Sequence, residues 1–386
     1  ADYFLPRQLL AMVTLSNLVK DIGSEVLRSA EAAELRRTDA AEYAGAVSTF
    51  LALTLDRCAA FNNSLCRWKT SGEQTIPLFD RSAIPMLWDC VEPNIMGEKA
   101  VCWATAVEIG AAGLDTIVVH SEKQGRARQI DAGTGAGTMT DLLVSTDPPY
   151  YDNVPYADIS DFFYVWLRRM VGDLYPDIFA TMLVPKMPEL TASPQRFGGD
   201  KDRAKEHFES GFRRTFTLLR ERLDARFPLT VYYAFKQSDQ ESDDSDGGNY
   251  DGPSNGVDLT TGWETLLEAL VSSGFQITAT WPVRASQQWR MRARGSNALA
   301  SYIVLACRAR ADSAPQIGRR EFMAQLKQEL PDALRHLQQG NVAPVDLAQA
   351  SIGPGMAVFS RYARVVESSG QSMGIRTALA MINQML

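Results

Sequence analysis

Residues 141–150 read DLLVSTDPPY and run on as YDNVPYADISDFFYVWLRR through residue 169. A short apolar run, read here as a buried strand, meets an acid, two prolines and two tyrosines. Proline has no N–H for a ladder and a fixed φ, so the strand must stop at Asp147. The next segment, DISDFFYVWLRRM, has helical spacing, with Asp158 or Ser160 placed to cap it. Strand, stiff turn, helix is the unit of an open α/β sheet, whose ligands bind at the carboxyl edge of the strands.

Outward from this unit the same rhythm continues. KEHFESGFRRTFTLLRERL reads as a long helix and LTVYYAFK as a strand of β-branched and aromatic residues. GWETLLEALVSSGF is a helix ending at Gly274, and QITATWPV and ASYIVLACRA are two further strands. With no helix between them, those two strands should close the sheet antiparallel. Upstream, LDTIVVH is another strand candidate, and residues 1 to about 70 carry the three- and four-residue spacing of helices. Trp88, Trp103 and the aromatics of DFFYVWL are expected in cores. Helices return after residue 318, broken by SIGPGMAVFS. The fold class expected is α/β, a Rossmann-like sheet, its C-terminal half most evident, with helical N-terminal and C-terminal segments. Three regions are expected: 1–105, mainly helical; 106–310, the sheet domain with a flexible acidic loop at 237–260; and 311–386, helical.

The chemistry of the turn is set by its residue types. Asp147 can accept a hydrogen bond from an exocyclic amine, and the carbonyl of Pro148 can accept the second amine proton. Pro149 with Pro148 stiffens the turn, which lowers the entropy lost on binding. Tyr150 offers a ring on which a planar base can stack, worth about 1–3 kcal/mol. An aromatic amine is a weak nucleophile because its lone pair is delocalised. Two acceptors that draw both protons out of the ring plane localise that pair, a stabilisation by preorganised dipoles. A base inside a duplex must be flipped out to reach such a pocket.

Composition sets the outer limits. Hydrophobic residues make up 45% and charged residues 22% of the 386, ordinary for a globular chain of this length. No apolar run is expected to reach the ~18 residues of a membrane span, and residues 1–13 lack a signal peptide's pattern, so a cytoplasmic location is expected. Both ends look cut, as in a piece of a longer protein. Five scattered cysteines without a C-x-x-C pair, and three distant histidines, point to reduced thiols and to no metal site. Seven of the 46 acids lie between residues 239 and 258; the other 39 balance the 39 Lys and Arg. The net charge of −7 therefore resides in one loop and does not argue against a nucleic-acid partner.

DPPY at a strand end is the motif shared by enzymes that methylate adenine N6 or cytosine N4 with S-adenosylmethionine. The longer run TDPPYYDNVPYADISDFFYVWLRR resembles adenine-specific DNA methylases that carry an N-terminal domain of unknown function and a zinc ribbon, often encoded in phage-defence clusters. FDRSAIPMLWDCVEPN, TVYYAFKQ, TGWETLLEAL, GFQITATWPVR, SNALASYIVLACR and GPGMAVFSRYA extend the resemblance from about residue 60 to the end. It makes the expected sheet a Rossmann-like class I methyltransferase sheet. It implies a site-specific adenine methyltransferase using S-adenosylmethionine, with Asp147, Pro148, Pro149 and Tyr150 as its catalytic turn. The implied partner is DNA, together with an upstream methyl-donor segment or other defence proteins. The resemblance covers the catalytic, carboxyl-terminal portion only: neither the family's donor loop nor its zinc ribbon is visible. After WPVR, where the family commonly has an acid, this chain has Ala285 and Ser286.

Other residues widen the candidate site. DAGTGAG at 131–137 spells a donor loop, but only one strand's length separates it from Asp147, so it reads first as a turn between two strands. The family has an Asp-Ala pair here, which makes Asp131 a candidate cofactor contact. Tyr151 and Asn153 extend the turn towards a base. Arg284, Trp289, Arg290, Arg292 and Arg294 form an acid-free basic stretch between the last two strands, suited to phosphate contact and stacking. Two other readings remain open: methylation of cytosine N4, RNA or a protein amide, and a non-catalytic DNA-binding or assembly role.

Overall fold

The computed structural model describes all residues except 1, 81–83, 85, 100, 118–124, 136–138, 152–153, 235–259, 285–300, 340–343 and 386. The acidic loop thus lies outside the described residues. The fold is mixed α/β, with a mixed sheet and helices at both ends of the chain.

Contacts divide the chain into two units, residues 1–129 with 154–189, and 130–153 with 190–386. They cut the chain differently from the expected boundaries at 105 and 310. The C-terminal helices belong with the sheet, and the chain crosses between units just beyond the Asp147 turn.

In the first unit, α1 (Pro6–Ala32) and α2 (Arg37–Phe61) pack on each other. Met12, Leu15 and Val19 meet Ala52, Leu55 and Ala59, and Trp166 and Met170 of α4 (Tyr156–Val171) complete the cluster. A hairpin of β1 (Arg67–Lys69) and β2 (Gln74–Ile76) and the helix α3 (Trp103–Asp115) fill the rest. Neither Asp158 nor Ser160 caps α4. Its N-cap is Pro155, and the Ala157 N–H donates to Glu189 Oε1 at 3.1 Å, a cap that arrives from 32 residues away. The expected strand LDTIVVH is corrected in part: Leu114 and Asp115 end α3, Ile117 is exposed, and 118–120 lie outside the described residues. Trp88, expected in a core, is fully exposed in an irregular segment, whereas Trp103 packs against the helical cluster. One expectation from the apolar runs is narrowed: α2 is long and apolar enough to cross a membrane, though 44% of that stretch is buried in this unit.

The second unit is built on four strands, β3 (Ser145–Thr146), β4 (Leu229–Ala234), β5 (Phe275–Arg284) and β6 (Ser301–Ala309), in the order β3-β4-β6-β5. β3 and β4 are parallel, and β6 runs antiparallel to both its neighbours, the antiparallel closure the sequence implies. The apolar run 142–146 is half-buried rather than buried. Leu142 and Val144 turn inward while Leu143 is 67% exposed, and among the described residues only β4 pairs with β3. Asp141, at φ 54°, starts the segment out of extended geometry, and one-sided pairing leaves a period-two pattern.

α5 (Lys201–Arg222) and α6 (Thr260–Ser272) bring Phe208, Phe212, Phe216, Trp263, Leu266, Leu267 and Leu270 into one core with Leu229, Val231, Tyr233, Ile303 and Leu305 of the sheet. Leu266, Leu267 and Leu270 are fully buried, each worth about 2 kcal/mol. Gly274, at φ +82°, ends the helical segment as expected. Beyond β6 come a parallel pair, β7 (Gln316–Gly318) and β8 (Arg364–Val366), with α7 (Arg319–Gln339), α8 (Pro344–Ser360) and α9 (Ile375–Asn383). SIGPGMAVFS does not break a helix; it is the second half of α8. A Cβ at Gly353 would fall 2.1 Å from Thr280 Oγ1, and one at Gly355 would fall 2.7 Å from Ile382. The glycines let α8 lie against β5 and α9.

Candidate active site

β3 ends at Thr146, and the next four residues are Asp147, Pro148, Pro149 and Tyr150. Asp147 is exposed, while Tyr150 is half-buried against the second core. The Tyr150 hydroxyl donates to Asp147 Oδ1 at 2.7 Å, a charge-assisted bond that closes the turn. The Tyr150 ring meets Tyr233 of β4 edge to face, with centroids 5.1 Å apart and planes at 86°. Tyr151 turns the other way: its ring lies edge-on to Phe208 of α5 at 5.2 Å. Its carbonyl accepts from the Ala192 N–H at 2.9 Å and from Thr191 Oγ1 at 3.3 Å. The turn is thus tied to α5, β4 and the 191–192 segment, and presents its acid outward.

β3, β4 and β5 all point the same way, so their carboxyl ends share one sheet edge. Arg284 closes β5 at that edge, the same one that carries Asp147. Three interstrand spacings across the sheet and three residues along it, since Asp147 is level with Trp281, put the two chain positions about 17 Å apart. Asn153, Trp289, Arg290, Arg292 and Arg294 lie outside the described residues, as does the Arg284 side chain.

Asp131 is placed differently. Its Oδ1 accepts from the Gly133 N–H at 2.8 Å and its Oδ2 from Thr134 Oγ1 at 3.1 Å. Gly133 is buried, and a Cβ there would approach Arg214 Nε to 2.8 Å and Thr215 Oγ1 to 3.2 Å. This is a turn capped by its own acid and pressed on α5, preceded by non-strand residues at 125–130 rather than set between two strands. As a cradle for S-adenosylmethionine it does not fit: among the described residues no strand runs into it, and both oxygens of its acid are bonded within its own turn. Among the described residues no group of three or more His, Cys, Asp or Glu is gathered as a metal site.

Tyr233, Trp263 and Gly262 lie in the segments TVYYAFKQ and TGWETLLEAL, but nothing in the sequence singles them out as site residues. The alternation in LTVYYA does place Tyr233 on the inner face with Val231, but its register beside the turn needs the β3–β4 pairing. Comparison with protein-family models, with curated proteins and with solved structures found no match.

Proposed function

We propose that the 147–150 turn binds an exocyclic aromatic amine, and that the protein is an S-adenosylmethionine-dependent DNA methyltransferase acting on adenine N6 of a flipped-out base. The observation that carries this is the turn itself: an exposed carboxylate at the end of a parallel strand, with a stacking ring fixed three residues on. Asp147 accepts one amine proton, the Pro148 carbonyl accepts the other, and the Tyr150 ring supports the base. The strand order, with β6 inserted antiparallel between β4 and β5, supports the carboxyl half of a Rossmann-like methyltransferase sheet. S-adenosylmethionine supplies the methyl group; since the Asp131 turn does not fit as its cradle, the chemistry derived from these residues is that of the amine end alone.

The test is transfer of tritiated methyl groups from S-adenosylmethionine to DNA, by the protein and by Asp147→Ala. Undiminished transfer in the variant removes the assignment. Competition among adenine-only DNA, cytosine-only DNA, RNA and protein substrates fixes the target, adenine-only DNA being expected to win. The arginines between β5 and β6 give a separate check on the DNA partner. Replacing Arg290, Arg292 and Arg294 with Gln should flatten the salt dependence of duplex binding by about 0.9 for each phosphate no longer neutralised; an unchanged slope rules them out.

A single observation favours a second reading, in which the chain binds DNA without catalysis: the misfit of the glycine turn to the methyl donor. Calorimetry with S-adenosylmethionine separates the two, since the enzyme binds it and a mere DNA-binding portion releases no heat.

A further inference from the structure

Three aromatic rings from three elements meet behind the candidate turn. Tyr150 sets its ring against Tyr233 at 5.1 Å and 86°. Tyr233, only 3% exposed, lies 5.6 Å and 34° from the ring of Trp263 in α6, itself 4% exposed. Its neighbour Tyr232 points to the other face and is 39% exposed, so β4 turns one tyrosine inward to the turn and one away. Gly262 makes the approach possible: a Cβ there would sit 3.2 Å from the Tyr233 hydroxyl oxygen and 3.4 Å from Tyr151 Cβ. A ring that must stack on a base gains from a fixed plane, because an ordered ring loses less entropy on binding. An edge-to-face neighbour fixes that plane through the ring quadrupole.

We propose that Tyr233, backed by Trp263 and admitted by Gly262, is a positioning residue that sets the plane of Tyr150 for stacking a planar, amine-bearing heteroaromatic base. This rests on the reading of residues 147–150 as a base-binding turn. Tyr233 does not touch the base; it acts through Tyr150. The Tyr150 hydroxyl, bound to Asp147, anchors the far end of the same ring, so buttress and acid hold it from two sides. Gly262 is the sensitive point, because a methyl group there pushes on the Tyr233 hydroxyl and, through it, on Tyr150.

The experiment is a fluorescence titration of the protein with a single-stranded oligonucleotide carrying one 2-aminopurine, whose emission is quenched on stacking; it needs neither methyl donor nor turnover. Tyr150→Ala should abolish the quenching. Tyr233→Leu should weaken it about fivefold, the size of one aromatic pair, and Tyr233→Phe should retain it. Since Tyr233→Leu opens the core, Gly262→Ala supplies the second arm. It adds a helix-favouring residue, should melt no lower than the parent, and should weaken quenching. Combining it with Tyr233→Phe, which removes the crowded oxygen, should restore quenching to the level of Tyr233→Phe alone; a merely structural loss would not be rescued this way. If Tyr150→Ala loses quenching while Tyr233→Leu and Gly262→Ala match the parent, the positioning role is overturned and the reading of the turn stands. If Tyr150→Ala quenches like the parent, the turn is not a base-binding turn and both ideas fall.

Discussion

Two aspartates sixteen residues apart each head a turn with a ligand-loop sequence, DAGTGAG at 131 and DPPY at 147. Asp131 spends its carboxylate on its own turn, bonded to the Gly133 N–H and to Thr134 Oγ1. Asp147 takes one bond from Tyr150 and otherwise faces outward. The glycine turn leans on α5, while the proline turn stands at the carboxyl end of a strand and is braced by aromatic rings. A motif's letters therefore say less than the fate of its acid: both acids are exposed and both bond within their own turns, but Asp131 has both oxygens engaged and Asp147, among the described residues, only Oδ1.

The widest separation between the two should appear in activity. Asp147→Ala removes a preorganised acceptor, and losses from deleting such a group run to about 10²–10³ in rate. Methyl transfer measured beside Asp131→Asn should therefore fall by that factor in the first variant. The second keeps an oxygen that can cap the turn and should keep the parent's melting temperature. If Asp131→Asn melts like the parent yet loses transfer as deeply, the contrast collapses and Asp131 belongs to the reacting site.

A third aspartate extends the comparison to the other unit. Asp56, in α2, is 8% exposed, has no hydrogen-bond partner for Oδ1, and is pushed by burial from its usual 3.8 up to about 8. Between about pH 4 and 8 the unfolded chain has released this proton and the folded chain has not, so the contribution is full below pH 4 and lost as pH rises towards 8. Asp56→Asn lacks that slope. It should gain on the order of 5 kcal/mol over the parent at pH 8, and close to nothing at pH 4. Urea melts at the two pH values read this directly; parallel behaviour of parent and variant would mean that water reaches Asp56.

Much of this arrangement is legible in the sequence, for definite reasons. The helices α1, α2, α4 and α5 and the strands β4, β5 and β6 are visible in the periodicity, since each buries one face of a regular element. The antiparallel closure is implied by two strands with no helix between them. Long-range contacts defeat local reading. The cap of α4 comes from Glu189, although Asp158 and Ser160 are the local candidates. Gly353, Pro354 and Gly355 read as breakers but lie in a helix, because Thr280 and Ile382 need the space a side chain would occupy. At the candidate site the sequence names Asp147 to Tyr150 but not Tyr233, which meets the turn through sheet register, nor Trp263 and Gly262, which α6 brings against Tyr233. Trp88 and the half-buried run before Asp147 mislead a sequence reader because apolar character alone does not tell which neighbours arrive.

The smallest effects sharpen the structural half of the contrast. Gly133→Ala places a methyl group 2.8 Å from Arg214 Nε and 3.2 Å from Asp131 Oδ1 and Thr215 Oγ1. The Arg214 end can swing aside, but the acid and the threonine sit close to the backbone, so a cost of about 1–2 kcal/mol is expected. Asp131→Ala removes one acceptor for a backbone N–H and one for a hydroxyl in an exposed turn, which should cost about 1 kcal/mol. Since both changes loosen one turn, they couple, and the double variant should lose less than the sum of the singles. Full additivity in melting experiments would mean that the carboxylate and the glycine do not act on the same turn, and Asp131 would again be open to a ligand.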